Sequence, residues 1–228
     1  MSAPLVLAIT GASGAAYAVR LLHVLAASGR EIHLLVSPSG KAVVKQELEI
    51  DLNLERFDVR ALVEYQFPAS WSAGSTRRQP SAISPDSAGI YYYHHTDFLA
   101  PVASGSFLTG GMVICPCSGT TLSGVACGTS SNLIQRAADV HLKELRKLIL
   151  VPRETPLSLI QLDNMRRAAE AGAVVLPAMP GWYHGVTCLM DQIDFVVARV
   201  LDQLGVGHEL MKRWGEGSGF RVQGSGEE

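Results

Sequence analysis

Pro4-Leu-Val-Leu-Ala-Ile-Thr10, broken by Gly11-Ala-Ser-Gly14, is the stretch that decides the fold. An apolar run without polar alternation marks a strand buried on both faces, as a parallel sheet requires. After the glycine turn, residues 15–28 set Val19, Leu22 and Ala26 at helical spacing, with Arg20 and His23 to one side. Glu31-Ile-His-Leu-Leu-Val36 is a second strand, ending at Ser37-Pro38, and a helix is expected over 41–50.

The same unit recurs downstream. Gly111-Met-Val-Ile-Cys115 reads as a strand stopped by Pro116, followed by helical spacing over 131–144 through Leu133, Ala137 and Val140. Leu148-Ile-Leu-Val151 and Ala173-Val-Val-Leu176 are further strands, each followed by a helix, over 157–171 and 190–204. Alternation of buried strands and helices predicts an α/β fold with a doubly wound parallel sheet, Rossmann-like (flavodoxin-like), in a single domain. That domain spans 1–214, with a Ser-, Pro- and Gly-rich surface insertion at about 66–90 and a flexible tail over 215–228.

Composition narrows the function. The 228 residues are 47% hydrophobic and 18% charged, enough apolar content for a sizeable core. A net charge of −2 lacks the basic field that nucleic-acid binding draws on. No apolar run reaches the roughly 18 to 20 residues of a membrane span, and no charged leader precedes the first strand. Four Cys and no secretory segment fit a cytoplasmic enzyme with reduced thiols.

Ligands of an open parallel sheet sit outside the carboxyl ends of its strands. Here those ends are small and polar: Gly11-Ala12-Ser13, Ser37, Cys117-Ser118-Gly119-Thr120-Thr121 and Arg153-Glu154. Small residues admit a phosphate to helix-start N–H groups, and the hydroxyls add neutral donors. That set suits a phosphorylated ligand with an uncharged ring, such as FMN. A dinucleotide site is the weaker reading, because Gly11-Ala-Ser-Gly14 lacks a third glycine and Ser37 stands where NAD needs a carboxylate.

Cys115-Pro-Cys117 has no second pair at zinc spacing, so buried thiols are expected there and no metal site. His94-His95, adjacent in sequence, are expected to point to opposite faces of an extended segment. Arg136 and Lys143, seven apart, share one face of their helix. Taken singly, such charges are more often solvated than functional.

Several motifs carry a resemblance. Leu7-Ala-Ile-Thr-Gly-Ala-Ser-Gly14, Asn132-Leu-Ile-Gln-Arg-Ala-Ala-Asp-Val140 with Leu142-Lys-Glu144, and Val151-Pro-Arg-Glu-Thr-Pro156 resemble the UbiX-type flavin prenyltransferases. Gly181-Trp-Tyr-His184, Arg199-Val-Leu-Asp-Gln-Leu-Gly205 and Arg213-Trp-Gly215 extend the likeness over nearly the whole chain outside 55–95 and the tail.

The resemblance implies a homo-oligomer, typically a dodecamer, with sites between subunits. It implies transfer of the dimethylallyl group of dimethylallyl phosphate to reduced FMN without a metal. The product, prenylated FMN, would pass to a UbiD-type decarboxylase. On matching positions, Gly11, Ala12, Ser13, Ser37, Ser118, Gly119, Thr120, Thr121 and Arg153 would hold FMN. Arg136, Lys143, Tyr183 and Arg199 would hold the prenyl phosphate, and Ser13, Glu47 and Glu154 would act in catalysis, the two carboxylates on protons. Phe98 stands where some members carry Trp, Leu145 where Arg is frequent, and Gln161 where His is frequent.

Two rivals are a flavin-dependent decarboxylase of the cysteine-decarboxylase type and a non-catalytic flavin carrier. The chain shows neither the former's His after the first helix nor its Asn-containing methionine loop. A carrier, in turn, has no use for Glu47 and Glu154 beside a neutral ring.

Overall fold

The computed structural model describes residues 3–73 and 89–213. The tail from 214 and residues 74–88 of the expected insertion lie outside them. Six strands form one parallel sheet: β1 (Leu5–Ile9), β2 (Ile32–Val36), β3 (Ile90–Tyr93), β4 (Gly111–Cys117), β5 (Leu148–Pro152) and β6 (Val174–Val175). Their order, β3-β2-β1-β4-β5-β6, reverses between β1 and β4, which places the ligand crevice at the ends of those two strands. Without the edge strand β3, the five strands expected from the sequence fall in the order second, first, third, fourth, fifth, the flavodoxin arrangement.

Three elements depart from expectation. β3 is not among the strands expected from the sequence; it is a short edge strand whose tyrosines are only half buried, so its apolar signal is weak. β4 continues past Pro116 to Cys117, with its register against β5 shifting between Ile114 and Cys117. Gly119–Cys127, rich in Gly and Thr, forms a helix that its composition hides. Of the expected insertion, Ala69–Ser72 is a single 3-10 turn.

Helices cover both faces. Leu5, Leu7 and Ile9 of β1 enter the core formed with α1 (Ala15–Ala27), α2 (Pro38–Leu48), α3 (Arg60–Val63) and α7 (Leu189–Leu204). Val6 and Ala8 enter the opposite core, under α4 (Gly119–Cys127), α5 (Leu133–Lys143) and α6 (Leu159–Glu170). This strict alternation is why β1 must be apolar throughout.

Arg20 and His23, to one side of the apolar stripe of α1, are both buried. α7 covers that side, and Arg20 donates to Asp194 through Nε at 2.6 Å and Nη2 at 3.1 Å. His94 and His95 lie beyond β3, where Asp97 N–H turns back to the His94 carbonyl. The turn removes strand alternation, so the rings sit 4.2 Å apart instead of on opposite faces. Among the described residues no helix is long and apolar enough to cross a membrane.

Candidate active site

The ends of β1, β4 and β5 are laced together. Thr10 at the end of β1 donates its hydroxyl to the Pro116 carbonyl at 2.7 Å and accepts from Ser118 N–H at 2.8 Å. Ser118 then caps α4, its hydroxyl accepting from Thr121 N–H at 3.3 Å and donating to Thr121 Oγ1 at 3.0 Å. From the end of β5, Arg153 reaches across and donates through Nε to the Ser13 carbonyl at 3.2 Å. Gly11–Ser13, Ser118–Thr121 and Arg153 therefore meet at one crevice.

Ser37 borders the same place. It caps α2 by accepting from Gly40 N–H at 2.9 Å. A Cβ on Gly40 would lie 2.5 Å from the Ile9 carbonyl oxygen, and one on Gly11 would lie 2.4 Å from Ser39 Cβ. The two glycines let the start of α2 press against the loop after β1. The donors so gathered are neutral hydroxyls with one guanidinium, and β2 ends in Ser37 rather than a carboxylate. They fit a monophosphate with an uncharged ring, as FMN presents.

The carboxylates divide. Glu47, on the last turn of α2, accepts from Gly14 N–H at 2.9 Å and Ala15 N–H at 2.8 Å, filling the positive end of α1. The helix start expected to be open to a ligand anion is thus held by the chain's own carboxylate. Glu154 is exposed, accepting from Thr155 N–H at 3.2 Å and Gln161 Nε2 at 3.4 Å. Gln161 also belongs to the capping box that starts α6.

Thr10 and Tyr17 are site residues that sequence reasoning missed. A polar residue closing an apolar run was a usable signal for Thr10. Tyr17 had none, since its nearness to Cys115, Arg153 and Glu47 depends on tertiary packing. Burial pushes its phenol pKa up, Cys115 adds to the shift, Arg153 opposes it and Glu47 adds to it again. The Cys115 and Cys117 thiols are buried, as expected; burial raises both, Cys117 to about 12. Neither is a thiolate at neutral pH.

The four residues expected to hold a phosphate are not brought together. Arg136 and Lys143 ride on α5, on one face of the sheet, whereas Tyr183 and Arg199 attach to α7, on the other. Lys143 also lies at the amino edge of the strands. Its neighbour Arg146 donates to the carbonyls of Phe107 and Gly105, just ahead of β4. Tyr183 meets Phe195 edge-on at 5.7 Å, and Arg199 is one turn further along α7. Each cation also has an acidic partner: Arg136 with Asp139 at 2.9 Å, Lys143 with Glu144, and Arg199 with Asp202 at 2.7 Å.

Comparison with known proteins gives the family. Residues 2–204 match the family model described as Flavoprotein. The chain is 45% identical to the flavin prenyltransferase UbiX of Pseudomonas aeruginosa, over 95% of this chain and 97% of the relative. It is 41% identical to that of Methanocaldococcus jannaschii, over 92% of this chain and 98% of the relative. A crystal structure of AnUbiX (PadA1) in complex with FMN and dimethylallyl pyrophosphate superposes with TM-score 0.74 at 35% identity, covering 94% of this chain and 98% of that one. A dodecameric FMN-dependent UbiX-like decarboxylase from Escherichia coli O157:H7 gives 0.75 at 36% identity, covering 92% and 98%.

Proposed function

This chain belongs to the Flavoprotein family and, within it, to the UbiX-type flavin prenyltransferases, and on that premise we propose a division of labour among its residues. The activity is transfer of a dimethylallyl group to FMN. When bound, reduced FMN supplies the ring nitrogen and carbon that take up the prenyl group. The observation that carries our site assignment is the contact of Arg153 Nε with the Ser13 carbonyl, which closes the crevice between β1 and β5.

Ser13, Ser37 and Ser118–Thr121 hold the flavin phosphate and ring with neutral donors, and Arg153 adds a positive charge. Glu154, exposed at the mouth, takes or returns a proton. Glu47 holds α1 and with it the loop Gly11–Ser13, so its proton role acts on a group already fixed in place.

A prenyl phosphate carries about two negative charges near neutral pH. Arg136 and Lys143 cannot join Tyr183 and Arg199 in one chain, because the sheet separates them. We assign the phosphate cradle to an interface in a homo-oligomer, with α5 and α7 from different copies. Fixed cations stabilise the departing phosphate without reorganising. The dodecamer of the Escherichia coli relative supports such an assembly here, and a UbiD-type decarboxylase is the proposed recipient of the product.

The test is anaerobic incubation of the protein with reduced FMN and either dimethylallyl phosphate or dimethylallyl pyrophosphate, in the presence of a chelator. Mass spectrometry should show FMN heavier by one dimethylallyl group, and no adduct from either donor overturns the reading. The rival decarboxylase reading has fold-level support only. The cysteine decarboxylase TvaF superposes with TM-score 0.52 at 14% identity.

A further inference from the structure

We infer that Asp202 is a positioning residue for the prenyl-phosphate site, holding Arg199 in its binding orientation. The inference rests on the proposed role of Arg199.

Asp202, one turn beyond Arg199 on α7, accepts from three side chains. Oδ2 takes Arg199 Nη1 at 2.7 Å, and Oδ1 takes His208 Nε2 at 3.1 Å and Arg213 Nη2 at 2.8 Å. The other cradle cations have more exposed partners. Asp139, paired with Arg136, has a side chain 36% exposed, and Glu144, paired with Lys143, is 35% exposed; Asp202 is 16% exposed.

Two features make Asp202 an anchor rather than a passive counter-ion. First, its Oδ1 bonds come from the segment after α7, so its place does not depend on Arg199. The His208 side chain is 1% exposed, and its Nδ1 accepts from Leu210 N–H at 3.3 Å, which leaves Nε2 as the donor to Asp202. Second, among the described residues one guanidinium nitrogen of Arg199, Nη1, is engaged. An arginine has five N–H donors in a rigid plane, so holding one nitrogen restricts where the others can point. Phe195, one turn before Arg199 on α7, meets the Tyr183 ring at 5.7 Å, so the anchored arginine shares its helix with the element that seats Tyr183.

Asp202 holds Arg199 in place and touches neither substrate nor flavin. Its loss therefore raises KM for the prenyl donor and spares FMN binding. The experiment compares Arg199→Ala, Asp202→Asn, Asp202→Glu and the double variant Arg199→Ala, Asp202→Asn, measuring kcat, KM for dimethylallyl phosphate and Kd for FMN. Arg199→Ala and Asp202→Asn should each raise KM about tenfold, the effect of a lost charge-assisted contact. FMN Kd should stay within about twofold, and the double variant should be no worse than Arg199→Ala alone. Asp202→Glu keeps the charge but displaces the carboxylate, and it should raise KM as well; it decides the matter if Asp202→Asn does not fold. Wild-type KM in a folded Asp202 variant, alongside a raised KM in Arg199→Ala, overturns the inference and leaves the role of Arg199 standing. So does an Asp202 defect that falls equally on FMN binding, which marks a structural role. Unchanged KM in Arg199→Ala overturns the reading beneath it.

Discussion

Glu47, at the end of α2, accepts a hydrogen bond from Gly14 N–H, at the start of α1, at 2.9 Å. Gly14 has φ of 120° and no side chain with which to cap its own helix, so α1 borrows a carboxylate from the next helix. The loop that bears Ser13 is thereby tied to α2 before any ligand arrives.

Replacing Glu47 with Ala should therefore cost stability as well as activity. Loss of a helix cap is worth about 0.5 to 2 kcal/mol. Glu47→Gln keeps an acceptor oxygen and should recover most of that stability while still failing to move a proton. Urea unfolding and product formation, measured on both variants, separate the two roles. Equal stability of Glu47→Ala and wild type refutes the cap.

Glu154→Gln should bind FMN normally and lose product formation by about 100-fold or more, the usual loss of a general acid or base. Glu154 is exposed and, among the described residues, bonds locally, to Thr155 N–H and Gln161, so the change should leave the unfolding midpoint unmoved. Wild-type turnover would remove it from proton transfer.

Arg20 and Asp194 are expected to behave as a buried pair, with side chains 4% and 8% exposed. Removing one partner strands the other charge, costing about 3 to 5 kcal/mol. Arg20→Met with Asp194→Leu should be far milder than either single change. Denaturant unfolding of the three variants checks this, and additive losses would contradict it.

Stability should fall as pH drops below about 6.5, the ordinary histidine value. Burial holds His23 and His141 below it, and nearby Arg20 and Arg146 push the same way, outweighing bonds to the Leu62 and Ala137 carbonyls. Below about 6.5 the unfolded chain binds these protons first, so their contribution is complete above that pH and is lost toward the lower folded-state values. Urea midpoints between about pH 7.5 and 5.5 should decline, and His23→Gln with His141→Gln should flatten the profile.

Lys143→Ala and Arg199→Ala chains should each be slowed about tenfold at dimethylallyl phosphate concentrations well below the wild-type KM, yet regain part of that rate when co-assembled. Their helices lie on opposite faces of one sheet, so a cradle that uses both draws on different copies. Activity of verified mixed oligomers measures this. No recovery counts against the shared site.

The sheet and its ligand edge were legible because β1, β2, β4 and β5 are buried on both faces, and burial on both faces writes itself as an unbroken apolar run. The polar strand ends and the motif order pointed to a flavin and to the family for the same local reason. β3 escaped because an edge strand of half-exposed tyrosines has no such run, and α4 because Ser118 and the Gly-Thr-Thr turn read as loop. The partner of Arg20 could not be read locally, because Asp194 comes from α7, some 170 positions away. Glu47 as a cap, Thr10 as a clamp and Asp202 as an anchor each depend on a partner brought near by packing. What local sequence determined was burial pattern and residue chemistry, since those follow from each segment's own period. What tertiary structure alone decided was who meets whom: α5 and α7 fall on opposite faces because successive crossovers wind the chain around both sides of the sheet.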